Sequence, residues 1–353
     1  MREVSDRLLG AYTTLRLGGP ADRLLEVDDT DEIISIVREA DRKNDPLLIL
    51  AGGSNVVIAD SGFPGTVVVL RSSGIRVTRQ DDHVELTVAA GHSWDDVVTR
   101  AVTEGWSGIE ALSGIPGSAG ATPIQNVGAY GQEVAETITS VRVLDRHRDQ
   151  VITMSGQECG FGYRHSVFKG SDRWVVLEVT YRLAISELSG PVRYPELART
   201  LDVAVGDRAP LRDVRDAVLG LRRRKGMVLD PADPDTASAG SFFINPVLDP
   251  AGYQALVGRC AAVLGAQVTP PAYPTEDGRV KTSAAWLIER AGFGKGYPGD
   301  GVAISSKHTL ALTNRGSGTT AALLKLAGEI RDGVRQRFGI TLRPEPILVG
   351  CTL

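Results

Sequence analysis

The sequence is short of the residues that would place it in several common classes. Its three cysteines, Cys159, Cys260 and Cys351, are odd in number and far apart. They offer neither a disulfide framework nor the paired spacing of a zinc site, and they fit a reducing compartment. The five histidines form no HExxH and no i,i+4 pair, so no metal centre is expected. No apolar run approaches the ~20 residues needed to span a bilayer. The charged start Met1-Arg-Glu-Val-Ser-Asp-Arg has no apolar stretch of signal-peptide type behind it. The expected address is cytoplasmic, without membrane contact. A net charge of -4, with charges of both signs interspersed, leaves no basic field for nucleic acid. Walker A and GxGxxG fingerprints are also missing, which disfavours a P-loop NTPase and a Rossmann-type NAD site.

What the chain has is glycine. There are 40 in 353 residues, and at about 150 residues per domain the length suggests two or three domains. Asp29 and Thr30 can cap a helix whose Ile33, Ile34, Val37 and Ala40 share one face. Ser93 and Asp96 look like a capping pair for a helix over 94–104, stopped by Gly105. Pro210 opens an amphipathic helix with Val214, Ala217, Val218 and Leu221 inside. Further helices are expected near 253–264, 283–291 and 319–338. Strands are expected at 47–50, 56–58, 66–70, 84–88, 141–144, 151–153 and 175–183, then at 301–304, 310–313 and 347–349. The first half therefore reads as α+β, with strands outnumbering helices.

Seven stretches have the residue types for chemistry. Ala51-Gly-Gly-Ser-Asn55 follows a strand, so its N–H groups can converge on an anion, although an ordinary tight turn has the same signature. Residues 113–131 are rich in Gly, Pro, Ala and Asn and lack periodicity, and a loop of that length is usually functional. Its glycines let backbone approach a ligand closely, and Gln125 and Asn126 can donate to a heterocycle or pyrophosphate. In Phe161-Gly-Tyr-Arg-His-Ser166, Arg164 can present a fixed cation to a carboxylate. Arg222 and Lys225 share a helix face at i,i+3 and can meet a diphosphate; a solvated basic helix end would look the same. Ser241, in Ala239-Gly-Ser-Phe-Phe-Ile-Asn-Pro246, has no triad partner nearby and suits a proton donor more than a nucleophile. Glu345, flanked by Pro344 and Pro346, has a stiff backbone suited to a carboxyl that must stay in place. Tyr273, Lys281 and Arg290 lie in a loop and helix able to line a nucleotide pocket, with Trp286 equally suited to a core.

In this order the motifs resemble the UDP-N-acetylenolpyruvoylglucosamine reductase family, the MurB-type flavoenzymes of peptidoglycan precursor synthesis. The stretches that carry the resemblance are Ala51–Asn55, Ile115–Gly131, Phe161–Ser166, Ala239–Pro246 and Arg343-Pro-Glu345, which together span nearly the whole chain. The sequence departs from the family pattern at Ala51, Ala121 and His165, none of which removes a catalytic side chain. The resemblance implies an α+β protein. A two-lobed FAD-binding domain of the vanillyl-alcohol-oxidase type would comprise residues 1–226 with 331–353 returning to it. A separate α/β substrate-binding domain would cover 227–330. It implies non-covalent FAD held by Gly52, Gly53, Ser54, Asn55, Ser113, Gly114, Pro116, Gly117, Gly120, Ala121, Gln125, Asn126 and Gly128. The stretch 190–210 looks like the insertion of the longer, type I members, with Tyr194 closing over the substrate diphosphate.

The implied reaction is NADPH-dependent reduction of UDP-N-acetylglucosamine enolpyruvate to UDP-N-acetylmuramate. Hydride would pass from flavin N5 to the terminal enolpyruvyl carbon. Arg164, with Glu345 beside it, would stabilise the charge developing on the carboxylate, an effect worth roughly 3–4 kcal/mol. Ser241 would protonate the adjacent carbon, and general acid help is typically on the order of 10²–10⁴-fold. Tyr163, Tyr194, Arg222, Lys225, Asn245, Tyr273, Lys281 and Arg290 would hold the rest of the nucleotide sugar. A monomer is expected, with no nucleic-acid partner. Two other readings stay open at this point: an oxidase or dehydrogenase of the same flavin superfamily, and a non-catalytic nucleotide-sugar binding protein.

Overall fold

The computed structural model describes residues 1–275 and 277–353, and its chain separates into two compact units. The first unit comprises Met1–Leu8, Pro20–Gly53 and Phe63–Leu229. It begins with a four-stranded sheet in which Arg2–Glu3, Ala21–Val27, Phe63–Leu70 and Leu47–Leu50 lie side by side in that order. The last three run parallel. Parallel strands need a crossover, and helix α1 (Thr30–Lys43) supplies it between Ala21–Val27 and Leu47–Leu50. Asp29 starts α1 by accepting a hydrogen bond from the Glu32 amide, as its capping residue type predicts. Val67, Val68 and Val69 are all fully buried, so this strand is covered on both faces.

An antiparallel sheet forms the rest of the first unit's framework. Its order is Gln150–Ser155, Ile138–Asp145, Trp174–Ile185, His83–Ala89 and Ile75–Arg79, with Trp106–Ser107 beside the end of Trp174–Ile185. Val84, Leu86 and Val88 alternate with half-buried residues and sit opposite Leu183, Tyr181 and Val179. That period of two places one face in the core, against helix α2 (Trp94–Thr103). Ser93 precedes α2 but makes no side-chain cap bond, contrary to the expected capping pair. Helix α3 (Pro195–Leu201) and helix α4 (Leu211–Arg224) close a smaller core of Val192, Leu197, Val214, Val218 and Leu221.

The second unit comprises Leu9–Gly19, Ser54–Gly62 and Asp230–Leu353. Strands Ser238–Ser241, Ala311–Asn314 and Val302–Ile304 form one antiparallel sheet, and Val247–Leu248, Val280–Lys281 and Tyr273–Pro274 form another. Helices α5 (Pro250–Leu264), α6 (Ala284–Arg290) and α7 (Thr320–Phe338) bury Leu256, Leu287, Ile288, Leu323, Ile330 and Phe338 around Phe242 and Phe243. The amides of Thr320 and Ala321 both donate at 2.8 Å to the Asp60 carboxylate, which places an anion at the positive end of α7.

The last segment of the first unit ends at Leu229, and that of the second begins at Asp230. The terminal segment differs from expectation. Residues 331–353 belong to the same unit as 230–330, because α7 packs in that core and Ile347–Val349 pairs in parallel with Val56–Ile58 of the same unit.

Candidate active site

The glycine-rich stretch of 113–131 is fastened to the first unit's framework at many points. Trp94 N donates to Gly117 O at 3.1 Å, Ala119 N to His92 O at 2.8 Å and Gly120 N to Ala90 O at 2.9 Å. Gly114 N donates to Asp95 Oδ1 at 2.6 Å, and the same carboxylate takes both arms of Arg215. Burial works against the charge of Asp95, but these donors outweigh it and hold its pKa low. The Tyr181 hydroxyl, fully buried, pairs with Thr122 Oγ1 at 2.6 Å and anchors the loop from below.

Two glycines meet face to face here. A Cβ on Gly52 would lie 2.6 Å from Gly117 Cα, so the turn after Leu47–Leu50 and the long loop approach as only bare backbone allows. Gly53, Gly114 and Gly117 all have positive φ. Beside them Ser118 Oγ is buried and has no hydrogen-bond partner among the described residues. A buried hydroxyl without a partner is costly, and a polar ligand at the loop removes the cost. The close glycine cradle and the unpartnered hydroxyl fit a bound flavin nucleotide.

The other residues expected at the cofactor divide into two groups. Gly120 is buried with its Cβ direction filled by Ala90, so its small size serves packing. The Ser113 hydroxyl is buried and donates to Glu110 O. Asn126 donates to Glu133 Oε2 at 2.6 Å and Gly162 O at 3.1 Å, and accepts from Ala135 N. Its amide, expected to meet a ligand, is committed to shaping the loop. Pro116, Gly117, Ala121, Gln125 and Gly128 remain partly accessible. Gly52 and Gly53 belong to the first unit, whereas Ser54 and Asn55 belong to the second.

Arg164 occupies the second central position of a tight turn in which Gly162 and His165 exchange backbone hydrogen bonds. Its φ of 51° is left-handed, which is uncommon away from glycine. Its guanidinium donates to Gly128 O at 2.7 Å and reaches Asn126 O at 3.5 Å, with the Tyr163 ring 5.5 Å away. The loop and the turn are thus one assembly, and the cation is fixed at its edge. Arg222, at the end of α4, donates through Nη2 to Met227 O, while its buried Nε has no partner among the described residues. Burial pushes its pKa down from the usual guanidinium value. Lys225 pairs with Glu196 at 2.6 Å and stands 5.7 Å from the Tyr130 ring, against which Tyr194 packs edge-on. Burial raises the Tyr130 phenol to about 12.

In the second unit, Ser241 and Glu345 come together through their backbones. Glu345 N donates to Phe242 O at 2.8 Å, Ile244 N donates to Arg343 O at 3.1 Å, and Phe243 bridges Pro344. Ser241 is half-buried and follows Gly240, whose φ is +72°. The pairing of Ser238–Ser241 with Ala311–Asn314 shifts register between Ser238 and Ser241, and Ser241 resumes the ladder opposite Ala311. Phe242 and Phe243 point into the core and lock the segment. Asn55 Nδ2 reaches Glu345 O at 3.5 Å, and Ile347 N donates to Asn55 O.

The expected nucleotide contacts of this unit cluster only in part. Lys281 is in register with both Val247 and Tyr273, so Asn245, Lys281 and Tyr273 lie around one small sheet. The Asn245 side-chain Oδ1 accepts from Ala284 N, at the start of α6. Arg290 is exposed at the end of α6 and lies 5.8 Å from the Trp286 ring. Among the described residues no group of three or more metal-ligating side chains occurs, and no helix is long and apolar enough to cross a membrane. Sequence reasoning passed over Ser118 and Tyr130. Both lie inside the loop it singled out, where glycines drew the attention.

Comparison with known proteins places the chain in a family. A model described as an FAD binding domain matches residues 21–155. One described as the C-terminal domain of UDP-N-acetylenolpyruvoylglucosamine reductase matches residues 231–349. The reductase of that name from Thermobifida fusca is 61% identical over 346 residues, covering 98% of this chain and 97% of the relative. That from Salinispora arenicola is 60% identical over 349 residues, covering 98% and 95%. The crystal structure of the Thermus caldophilus enzyme (MurB) superposes with a TM-score of 0.64 at 24% identity, over 99% of this chain and 98% of that one, which establishes the shared fold. With sequence similarity of this extent along its whole length, the chain belongs to the UDP-N-acetylenolpyruvoylglucosamine reductase family.

Proposed function

We propose that Ser241, Arg164 and Glu345 carry the family's reaction in this chain, with UDP-N-acetylglucosamine enolpyruvate as substrate and NADPH as reductant. The chain is an FAD-dependent oxidoreductase of peptidoglycan precursor synthesis acting on a UDP-sugar. The observation that most supports the residue assignment is the backbone pairing of Phe242–Ile244 with Arg343–Glu345, which brings the proton donor's segment to the rigid carboxyl's segment.

FAD, when bound, supplies the hydride for the enolpyruvyl double bond. Gly52, Gly53, Gly114, Pro116, Gly117, Ser118, Ala121, Gln125 and Gly128 would hold it, the glycines through close backbone approach and Ser118 and Gln125 through their polar side chains. Arg164 meets the enolpyruvyl carboxylate with a charge-assisted, two-pronged hydrogen bond. Its guanidinium is already oriented by loop carbonyls, so little reorganisation accompanies the reaction. Glu345, stiffened by Pro344 and Pro346, stands near the same carboxylate. Ser241 Oγ gives its proton to the substrate carbon bearing the ether oxygen. Arg222 and Lys225 take the diphosphate under Tyr194, and Asn245, Lys281, Tyr273 and Arg290 take the remainder of the nucleotide sugar. In this reading residues 230–330 supply the substrate domain, and the protein works as a cytoplasmic monomer. The oxidase and non-catalytic readings of the sequence are not favoured by its relatives.

The test uses the yellow holoenzyme, photoreduced without oxygen. Adding UDP-N-acetylglucosamine enolpyruvate should restore the oxidised flavin spectrum in proportion to the nucleotide added. A flavin that stays reduced under excess nucleotide would contradict the assignment of substrate.

A further inference from the structure

We propose that Lys169 is a positioning residue for the reduction, acting through Gln125 and Arg164; the proposal rests on the reading of Arg164 as partner of the substrate carboxylate. Lys169 lies five positions after Arg164 and is half-buried. Its ammonium donates to Gln125 Oε1 at 3.1 Å and to the Arg164 carbonyl at 3.3 Å. One cation thus touches a side chain of the glycine-rich loop and the backbone of the left-handed turn.

Each contact has a consequence. An ammonium only donates, so it requires the oxygen of the Gln125 amide and fixes which way that amide is turned. The position of the NH2 end is set by the same choice. At the turn, Arg164 holds a φ of 51° that few side chains adopt, and its carbonyl direction is part of that conformation. A donor placed on this carbonyl favours the turn over its relaxed alternatives. Neighbouring bonds complete the suture: Ser166 Oγ donates to Ile124 O at 2.6 Å and Asn126 Nδ2 to Gly162 O at 3.1 Å. These two neutral ties hold the hairpin against the loop. Lys169 differs in bearing directly on both the expected cofactor contact and the expected carboxylate partner.

The experiment compares Lys169→Met, Lys169→Arg, Arg164→Met and the double variant Lys169→Met/Arg164→Met as holoenzymes. Flavin absorbance, reduction by NADPH and reoxidation by UDP-N-acetylglucosamine enolpyruvate are followed separately. Lys169→Met should retain FAD and its rate of reduction, and slow reoxidation by about tenfold or more, the scale at which a small misplacement of a reacting group is felt. Lys169→Arg, which keeps a donor cation, should recover to within about threefold of the parent. The double variant should be hardly slower than Arg164→Met alone, since Lys169 acts through that residue. Unchanged reoxidation in Lys169→Met, fully additive losses in the double variant, or loss of FAD or of the fold in Lys169→Met would each overturn the proposal, the last by marking the lysine as structural. If Arg164→Met itself reoxidises at the parent rate, the underlying reading of Arg164 fails first and takes this proposal with it.

Discussion

Arg164 and Asp145 show how differently single charged residues are used in the first unit. Arg164 donates to the neutral carbonyl of Gly128 and reaches that of Asn126, and in the proposed reading its guanidinium meets a substrate anion. Asp145 is fully buried and takes a two-pronged pair from Arg173 at 2.8 and 2.6 Å, plus the His147 amide. The Arg173 pair lowers the Asp145 carboxyl from its ordinary 3.8 to about 2. Because the folded carboxyl is the stronger acid, the unfolded chain binds a proton first as pH falls. The associated stability is present above about 3.8 and is lost as pH drops toward 2. Asp145→Asn should therefore lower the melting temperature at pH 6 and weaken its fall between pH 4 and 2, measured by thermal denaturation. An Asn variant with the parent's full acid sensitivity would mean that other carboxylates govern it. The proposed chemistry-bearing residues stood out at this scale because each has an unusual setting: an arginine in Phe161–Ser166, a glutamate between prolines and a serine after glycine. What such settings could not reveal was commitment. Asn126 looked like a ligand donor, and only the fold shows its amide saturated by Glu133, Gly162 and Ala135.

At the scale of elements, hydrophobic periodicity foretold α1, α4 and α7 to within a few residues, since each has one apolar face, while α3 was not expected. The capping of α2 was misread. Ser93 makes no cap bond, and the neighbouring Asp95 instead binds Gly114 N and Arg215, a tertiary use that no local pattern encodes. The meeting of Gly52 with Gly117 was equally invisible, because the two turns are distant in sequence and touch only once the sheets are built. It is nevertheless the feature on which the cradle depends. Gly52→Ala would put a methyl 2.6 Å from Gly117 Cα, and neither backbone can yield without displacing the loop. FAD affinity should fall by about tenfold, equivalent to about 1.4 kcal/mol, or more. Titration of the apoprotein with FAD by fluorescence quenching checks this. Parent-like affinity would show that the close approach is not part of the cofactor site.

For the whole molecule, the order of motifs said more than any one of them. Glycine turns, a fixed cation, a serine and a rigid carboxyl are individually common, and their sequence along the chain pointed to the flavoenzyme family that the relatives confirm. The grouping of segments was less legible. Strand Val56–Ile58 is an ordinary apolar triplet, and nothing local says that it pairs with Ile347–Val349 and draws residues 54–62 into the second unit. The same kind of long-range pairing brings Glu345 to the Ser241 segment, and the central claim stands on that meeting. Ser241→Ala tests it most directly in a stopped-flow instrument that follows the two flavin half-reactions apart. Reduction by NADPH should proceed at the parent rate, while reoxidation by UDP-N-acetylglucosamine enolpyruvate should slow by about 10²-fold or more, the range for loss of a general acid. Reoxidation at the parent rate would contradict Ser241 as the proton donor.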